Sequence, residues 1–202
     1  SVNLGGKQMK PDIIKYLKPS RGFGGSCFPK DVKSLINFSE RLGYTPRMLK
    51  SVIEVNNSQT ERLINLLKEK IGEINGKTIS ILGLSFKSGT DDVRESMAIN
   101  LIKRLVEEGA LIKCYDPIAV ENAKRELKNL SNIQYFDIYK GALVNADATV
   151  IMTDWDVISN IDYDEFRKLT NDPVIIDGCR IFDKKEAQYN DIKYIGIGYR
   201  KK

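Results

Sequence analysis

Lys77-Thr78-Ile79-Ser80-Ile81-Leu82-Gly83-Leu84 is the stretch on which the fold turns. It follows the turn signal Asn75-Gly76 and is dominated by Ile and Leu, the pattern of a short strand buried on both faces. Downstream of it, strand and helix patterns alternate. Ser96 is placed to cap a helix over 97–108, and Gly109 follows it. A strand over 111–115 comes next, then a helix opened by Asp116-Pro117 and running to Leu130. A weak strand at 132–136, a short helix at 138–145 and a strand at 148–152 follow. The series closes with a helix at 162–169 and strands at 174–177 and 194–197. Strands separated by helices imply a mostly parallel sheet with right-handed crossovers. The expected class is therefore α/β, with a Rossmann-like three-layer domain over 73–202.

Upstream the texture differs. Residues 46–71 read as one long helix, with Leu49, Val52, Ile53, Leu63, Ile64, Leu67 and Ile71 on a broad face and a polar middle. A helix apolar in two blocks either bridges two bodies, packs on its own copy or serves as a plain core helix. Before it, Asp31 is placed to cap a helix beginning near Val32, and Gly43 and Pro46 punctuate the junction. Residues 1–72 thus form a helical segment, separated at Gly72 from the sheet domain.

Composition narrows the function. The chain has 202 residues, 42% hydrophobic and 29% charged, the balance of a globular protein. Net charge is +5, unevenly spread: residues 1–72 carry +7 and the remainder −2. Such a basic region suits a phosphorylated small molecule, an acidic partner or simply a solvated surface. No nucleic-acid-binding signature accompanies it, so nucleic acid is not an expected partner. No membrane segment is expected either. Cys27, Cys114 and Cys179 have no metal-type spacing and there is no histidine. This implies reduced thiols, a cytoplasmic setting and no zinc. A general base has to come from Asp, Glu, Lys, Cys or water.

Three loops carry chemistry. The first is Gly22-Phe23-Gly24-Gly25-Ser26-Cys27-Phe28-Pro29-Lys30-Asp31, a thiol among glycines with a cation and a carboxylate behind it. Glycine backbone admits a ligand closely, and a nearby cation favours a thiolate nucleophile, although a lone cysteine in a tight turn is often only structural. The second follows the strand that opened this section: Gly83-Leu84-Ser85-Phe86-Lys87-Ser88-Gly89-Thr90-Asp91-Asp92-Val93-Arg94-Glu95-Ser96. It is not a GxGxxG loop. It does bring an aromatic, two cations and a helix N-terminus to the mouth of the sheet, which suits a pyrophosphate. Asp91 and Asp92 are expected to hold Arg94 and nearby backbone rather than a metal. The third loop is Asp177-Gly178-Cys179-Arg180, also at a strand's carboxyl end, where Arg180 can converge with Lys87. Trp155 is expected as a wall or packing residue.

GFGGSCFPKD, GLSFKSGTDDVRES and IIDGCR, in this order, resemble the UDP-glucose/GDP-mannose dehydrogenase family over nearly the whole chain, and the helix carrying Glu54-Val55-Asn56-Asn57 resembles its central dimerisation domain. The resemblance implies NAD-dependent oxidation of the 6-hydroxymethyl of a nucleotide sugar to a carboxylate, with UDP-glucose preferred. Cys27 resembles the nucleophile that forms a thiohemiacetal and then a thioester. Asp31 resembles the carboxylate that positions the hydrolytic water. Lys30 and Arg94, with Cys27, resemble residues at the NAD cofactor. Tyr16, Lys18, Pro19, Ser20, Arg21, Gly22, Phe23 and Gly24 resemble the loop over nucleotide and sugar, and Phe86, Lys87 and Arg180 resemble further substrate contacts.

The resemblance also implies a homodimer through the central helices. Met9-Lys10-Pro11-Asp12 lacks the arginine that the family often sends to the partner's site. The family's N-terminal GxGxxG domain has no counterpart in these residues. The chain is therefore expected to be the C-terminal part of a longer enzyme and inactive by itself. The alternatives are a GDP-mannose 6-dehydrogenase and a non-catalytic nucleotide-sugar-binding or dimerisation module. Ser26, in place of a histidine, argues against the N-acetylmannosamine branch.

Overall fold

The computed structural model describes residues 2–4, 7–9 and 19–198. Tyr16, Lys18 and the segment around Pro11 lie outside the described residues. Near the start of the chain, two short strands, β1 (Val2–Leu4) and β2 (Lys7–Met9), pair antiparallel.

Two helices follow the cysteine loop. Helix α1 spans Phe28–Arg41 and α2 spans Arg47–Ile71, 25 residues and so about 37 Å long. α1 starts four residues earlier than the expected Val32. Pro29 occupies its first turn, where a missing N–H costs nothing, and the Asp31 amide donates to the Cys27 carbonyl at 2.8 Å. Asp31 is therefore a first-turn residue and not the cap. The shift places Cys27 at the helix N-terminus.

α2 has two environments. Its last three turns bury Leu63, Ile64 and Leu67 completely, while Met48, Val52 and Val55 near its start stay exposed. The buried block joins α3 (Met97–Glu107) and one face of a six-stranded sheet in a single core with Ile79, Ile81, Ile112, Leu101 and Ile102. Burying a leucine or isoleucine fully is worth about 1.5–3 kcal/mol, so this block anchors the helix to the sheet.

The sheet comprises β3 (Thr78–Leu82), β4 (Leu111–Tyr115), β5 (Ile133–Phe136), β6 (Ala148–Ile151), β7 (Val174–Asp177) and β8 (Lys193–Gly196). Every pairing in it is parallel, and the spatial order is β5-β4-β3-β6-β7-β8. Counted from the first strand of the sheet, this is 3-2-1-4-5-6, the Rossmann order, whose direction reverses between β3 and β6. The second face is covered by α5 (Tyr139–Leu143), α6 (Asp156–Ser159), α7 (Tyr163–Leu169) and α8 (Lys184–Tyr189), around Leu143, Ile158, Phe166, Phe182 and Ile192. Helices on both faces of a parallel sheet make the three layers expected from sequence.

The short helices α6 and α8 were not foreseen. α8 has a clear device, since Asp183 accepts hydrogen bonds from the amides of Lys185 and Glu186. The helix expected over 116–130 contracts to α4, Val120–Glu126. The Asp116 carboxylate draws the amides of Ile118 and Ala119 into a turn. At the far end the Leu130 amide bonds back to the Leu127 carbonyl, three residues away.

Candidate functional site

The loops at the carboxyl ends of the sheet are fixed by two buried aspartates. Asp116, beyond β4, accepts through Oδ2 from the amides of Leu84 and Ser85, the Ser85 hydroxyl and the Trp155 indole N–H, at 2.7–3.3 Å. Its Oδ1 holds its own turn. Asp177, at the end of β7, accepts from the amides of Cys179, Arg180, Ile181 and Phe182 and from the Tyr194 hydroxyl. Burial lifts its carboxyl above the ordinary aspartate range, and these donors oppose that lift. Neither residue stood out in the sequence as functional. The available signal was an aspartate directly after a strand with Pro or Gly next to it. Trp155 packs as foreseen and also donates.

At the switch point the crevice is tightly closed. Gly83 has φ +94°, and a Cβ there would lie 2.5 Å from the Thr153 amide nitrogen, so only glycine fits. Thr153 donates to the Ser85 carbonyl at 2.7 Å. Ser96 caps α3, accepting from the Ala98 amide while its hydroxyl donates to the Leu84 carbonyl. The second loop is thus bound to the strand end at both of its limits.

The cysteine loop lies against this scaffold. The Arg21 amide donates to the Gly178 carbonyl, and its guanidinium donates to Cys179 Sγ at 3.0 Å and the Phe86 carbonyl at 2.9 Å. Asn56, on α2, brackets Phe23, accepting from its amide at 2.7 Å and donating to its carbonyl at 3.1 Å. The Gly25 amide donates to the Arg94 carbonyl at 3.0 Å. Gly25 has φ +86° and lies over the Phe86 ring, where a Cβ would approach to 2.8 Å. A Cβ on Gly24 would collide with the Glu95 carbonyl. The glycine run is therefore a packing requirement of two loops in contact. Asn56 was noted in sequence only as part of a family pattern; its bracket on Phe23 is a finding of the structure.

Cys27 emerges from this arrangement exposed, with the Ser26 hydroxyl 3.7 Å from its sulfur. Helix N-termini favour negative charge. Lys30 and Arg94 are both exposed, and both lie within electrostatic range of the Cys27 sulfur. Lys30 is raised mainly by its 2.8 Å pair with Asp31, and Arg94 mainly by a forked pair with Asp92. Asp92 in turn is lowered by Arg94, and Asp91 receives Asn122. Of the two aspartates expected to hold Arg94, only Asp92 does so, pairing with its guanidinium and its amide, while Asp91 holds Asn122 instead.

Two cavities adjoin the loop. One, of about 560 Å³, is lined by Gly25, Ser26, Lys30, Arg94, Ser96 and Lys103 among others. The other, about 540 Å³ and mostly apolar, is lined by Pro19, Ser20, Phe23, Val55 and Ile197 among others. Lys87 is exposed, with its ammonium 5.5 Å from the Phe86 ring centre, and Arg180 is half-buried at φ 55°. Neither lines these two cavities, but Arg21 joins their loops, since it bonds to the residue before each.

Known proteins share this fold and much of this sequence. Residues 80–184 match the UDP-binding domain of the UDP-glucose/GDP-mannose dehydrogenase family, and residues 4–58 match its central domain. A UDP-glucose 6-dehydrogenase of Haloferax volcanii is 43% identical over 85% of the chain and 39% of its own length. A Bacillus subtilis UDP-glucose 6-dehydrogenase is 38% identical over 98% of the chain and 44% of its own length. Among solved structures, a UDP-glucose dehydrogenase of Pyrobaculum islandicum superposes with a TM-score of 0.74 at 34% identity, covering 83% of this chain and 37% of that one. The chain spans about two fifths of the length of the curated relatives it matches.

Proposed function

Because the chain belongs to the UDP-glucose/GDP-mannose dehydrogenase family, we propose that it provides the nucleotide-sugar site and the thiol nucleophile for NAD-dependent oxidation of UDP-glucose to UDP-glucuronate. The observation that carries this reading is Cys27, exposed at the N-terminus of α1 and within electrostatic range of Lys30 and Arg94.

The residues of the cavity beside Cys27 fit the reacting end of NAD. Lys30, Arg94, Lys103 and a capped helix N-terminus line a space of about 560 Å³ together with Glu95 and Glu126, a lining that stays net positive and suits a phosphate-bearing ligand. Lys30 and Arg94 would hold that end. Two NAD molecules, bound in turn, would supply the acceptors for the two hydrides that a four-electron oxidation releases.

The remaining work falls to the chain. Cys27 sulfur adds to the C6 aldehyde carbon and forms a thiohemiacetal, its oxygen gaining a proton. At the next oxidation level the same carbon is held as a thioester. Water attacks the thioester carbonyl, the C–S bond breaks, and carboxylate and free thiol result. Asp31 orients that water from the first turn of the same helix. Lys87 and Arg180 face the substrate diphosphate, Phe86 supports it, and Pro19, Ser20, Arg21, Gly22, Phe23 and Gly24, with Tyr16 and Lys18, cover nucleotide and sugar. The functional division falls at residue 72, between the thiol-bearing segment and the UDP-binding domain. Phe28, Phe38, Leu42, Tyr44 and Met48 are exposed on α1, the turn after it and the start of α2. An apolar row of this kind supports a homodimer through the helical segment.

Binding calorimetry tests the reading. UDP-glucose is expected to bind more tightly than GDP-mannose and to protect Cys27 from iodoacetamide. Preference for GDP-mannose would transfer the substrate to the guanosine branch. Binding without protection of Cys27 would remove the thiol from the site.

A further inference from the structure

Arg21 is 8% exposed, and two of its side-chain nitrogens and its backbone N–H all donate to the UDP-binding domain. Its acceptors belong to two different loops. The Phe86 carbonyl follows β3 and adjoins Lys87. Cys179 Sγ and the Gly178 carbonyl follow β7 and adjoin Arg180. From the same residue the chain continues through Phe23, clamped by Asn56, and Gly25, bonded to the Arg94 carbonyl, to Cys27 six residues on. The fit is close on the opposite side as well, since a Cβ on Gly178 would lie 3.2 Å from Arg21 Cβ. Cys179 keeps its proton here: burial pushes its thiol up to about 12, with the guanidinium opposing, so Arg21 donates to the sulfur of a neutral thiol.

We infer that Arg21 is a positioning residue that couples occupancy of the diphosphate loops to the placement of Cys27, and that it is not chiefly a substrate ligand. A guanidinium can bridge two acceptors in fixed directions because its donors form a rigid planar fork; an ammonium cannot. When a ligand draws the Lys87 and Arg180 loops together, the two acceptors move, and Arg21 carries that movement into the loop that ends at Cys27. The coupling rests on the nucleotide-sugar reading only for the identity of the ligand.

The test compares the 202-residue chain with Arg21→Met, Arg21→Lys and Cys179→Ala. The readout is the rate of Cys27 alkylation by iodoacetamide, located by peptide mass, with and without saturating UDP-glucose. The unsubstituted chain should be slowed about tenfold by UDP-glucose and Arg21→Met about twofold or less, a coupling within the range seen for contacting residues. Arg21→Lys should fail to restore it, and Cys179→Ala should fall between. Saturation removes any change in affinity from the comparison, so a merely structural role leaves the ratio intact. Full slowing in folded, ligand-binding Arg21→Met overturns the inference. If that variant does not fold, Cys179→Ala decides, and an unaltered ratio there overturns it. If UDP-glucose does not bind the unsubstituted chain, the nucleotide-sugar reading fails, and the linkage is judged without ligand. The amides of Phe23 and Gly25 should then exchange hydrogen about tenfold faster in Arg21→Met or Cys179→Ala, and unchanged exchange overturns it.

Discussion

Cys27 owes its setting to residues that do no chemistry. Arg21, Asn56 and two glycines hold the loop, and Asp92 fixes the Arg94 that stands near the thiol. This division explains what the sequence could disclose at single positions. Cys27, Lys30 and Arg94 were legible because their residue types are unusual in a glycine-rich loop or at a strand end. Asn56 was not, because a polar residue in the middle of a helix gives no sign of a partner 33 positions away. Asp92 carries a pH prediction. Its forked pair with Arg94 holds its carboxyl below the usual aspartate value of 3.8. A carboxylate depressed in the folded state adds stability above its unfolded value, and the gain is lost as pH falls through the depressed one. Asp92→Asn should therefore lower the urea midpoint at pH 7 and have less effect below pH ~3. An equal loss at both pH values would show that the pair's charge is not what matters.

Elements were more legible than single contacts wherever the apolar period was long. The 25 residues of α2 and the six strands β3 to β8 were read from spacing alone. Helix starts were less secure, because competing polar side chains decide them. Asp31 looked like a cap, yet Pro29 already sat inside the turn. Asp116 looked like a helix opener, yet it captured two amides and delayed α4 to Val120. The strands β1 and β2 and the helices α6 and α8 are too short to show a period.

Within α2 the two ends should respond differently to the same truncation. Leu67→Ala removes a fully buried side chain from the core shared with α3 and the sheet and should cost about 2–5 kcal/mol. Val55→Ala, at an exposed position, should stay within about 0.5 kcal/mol. Urea unfolding of the two variants measures both, and comparable losses would mean that the first half of α2 is also packed in solution.

At the scale of the molecule, the fold class was within reach of the sequence because a parallel sheet with covered faces needs continuous apolar strands separated by helices. The strand order was not, since any of several parallel orders satisfies the same pattern. Only the geometry places the reversal between β3 and β6. Among the described residues no helix is long and apolar enough to cross a membrane. Nowhere in the 202 residues does a GxGxxG dinucleotide loop occur. These residues by themselves should accordingly bind UDP-glucose without reducing NAD. Spectrophotometric appearance of NADH with UDP-glucose and the isolated chain would contradict this.

The parallel sheet also sorts the surface into two ends with different freedoms. The loops after β3 and β7 leave the carboxyl ends of their strands, and the cysteine loop packs on them there, where glycines and buried aspartates permit little change. At the other end, the turns 144–147 and 170–173 are hydrogen-bonded to each other, while 128–131 is largely exposed. That last turn is where a fluorophore, an affinity tag or an inserted domain can be grafted while the thiol and its neighbours keep their places. The sheet thus has two unequal ends, one locked by close packing and the other open to redesign.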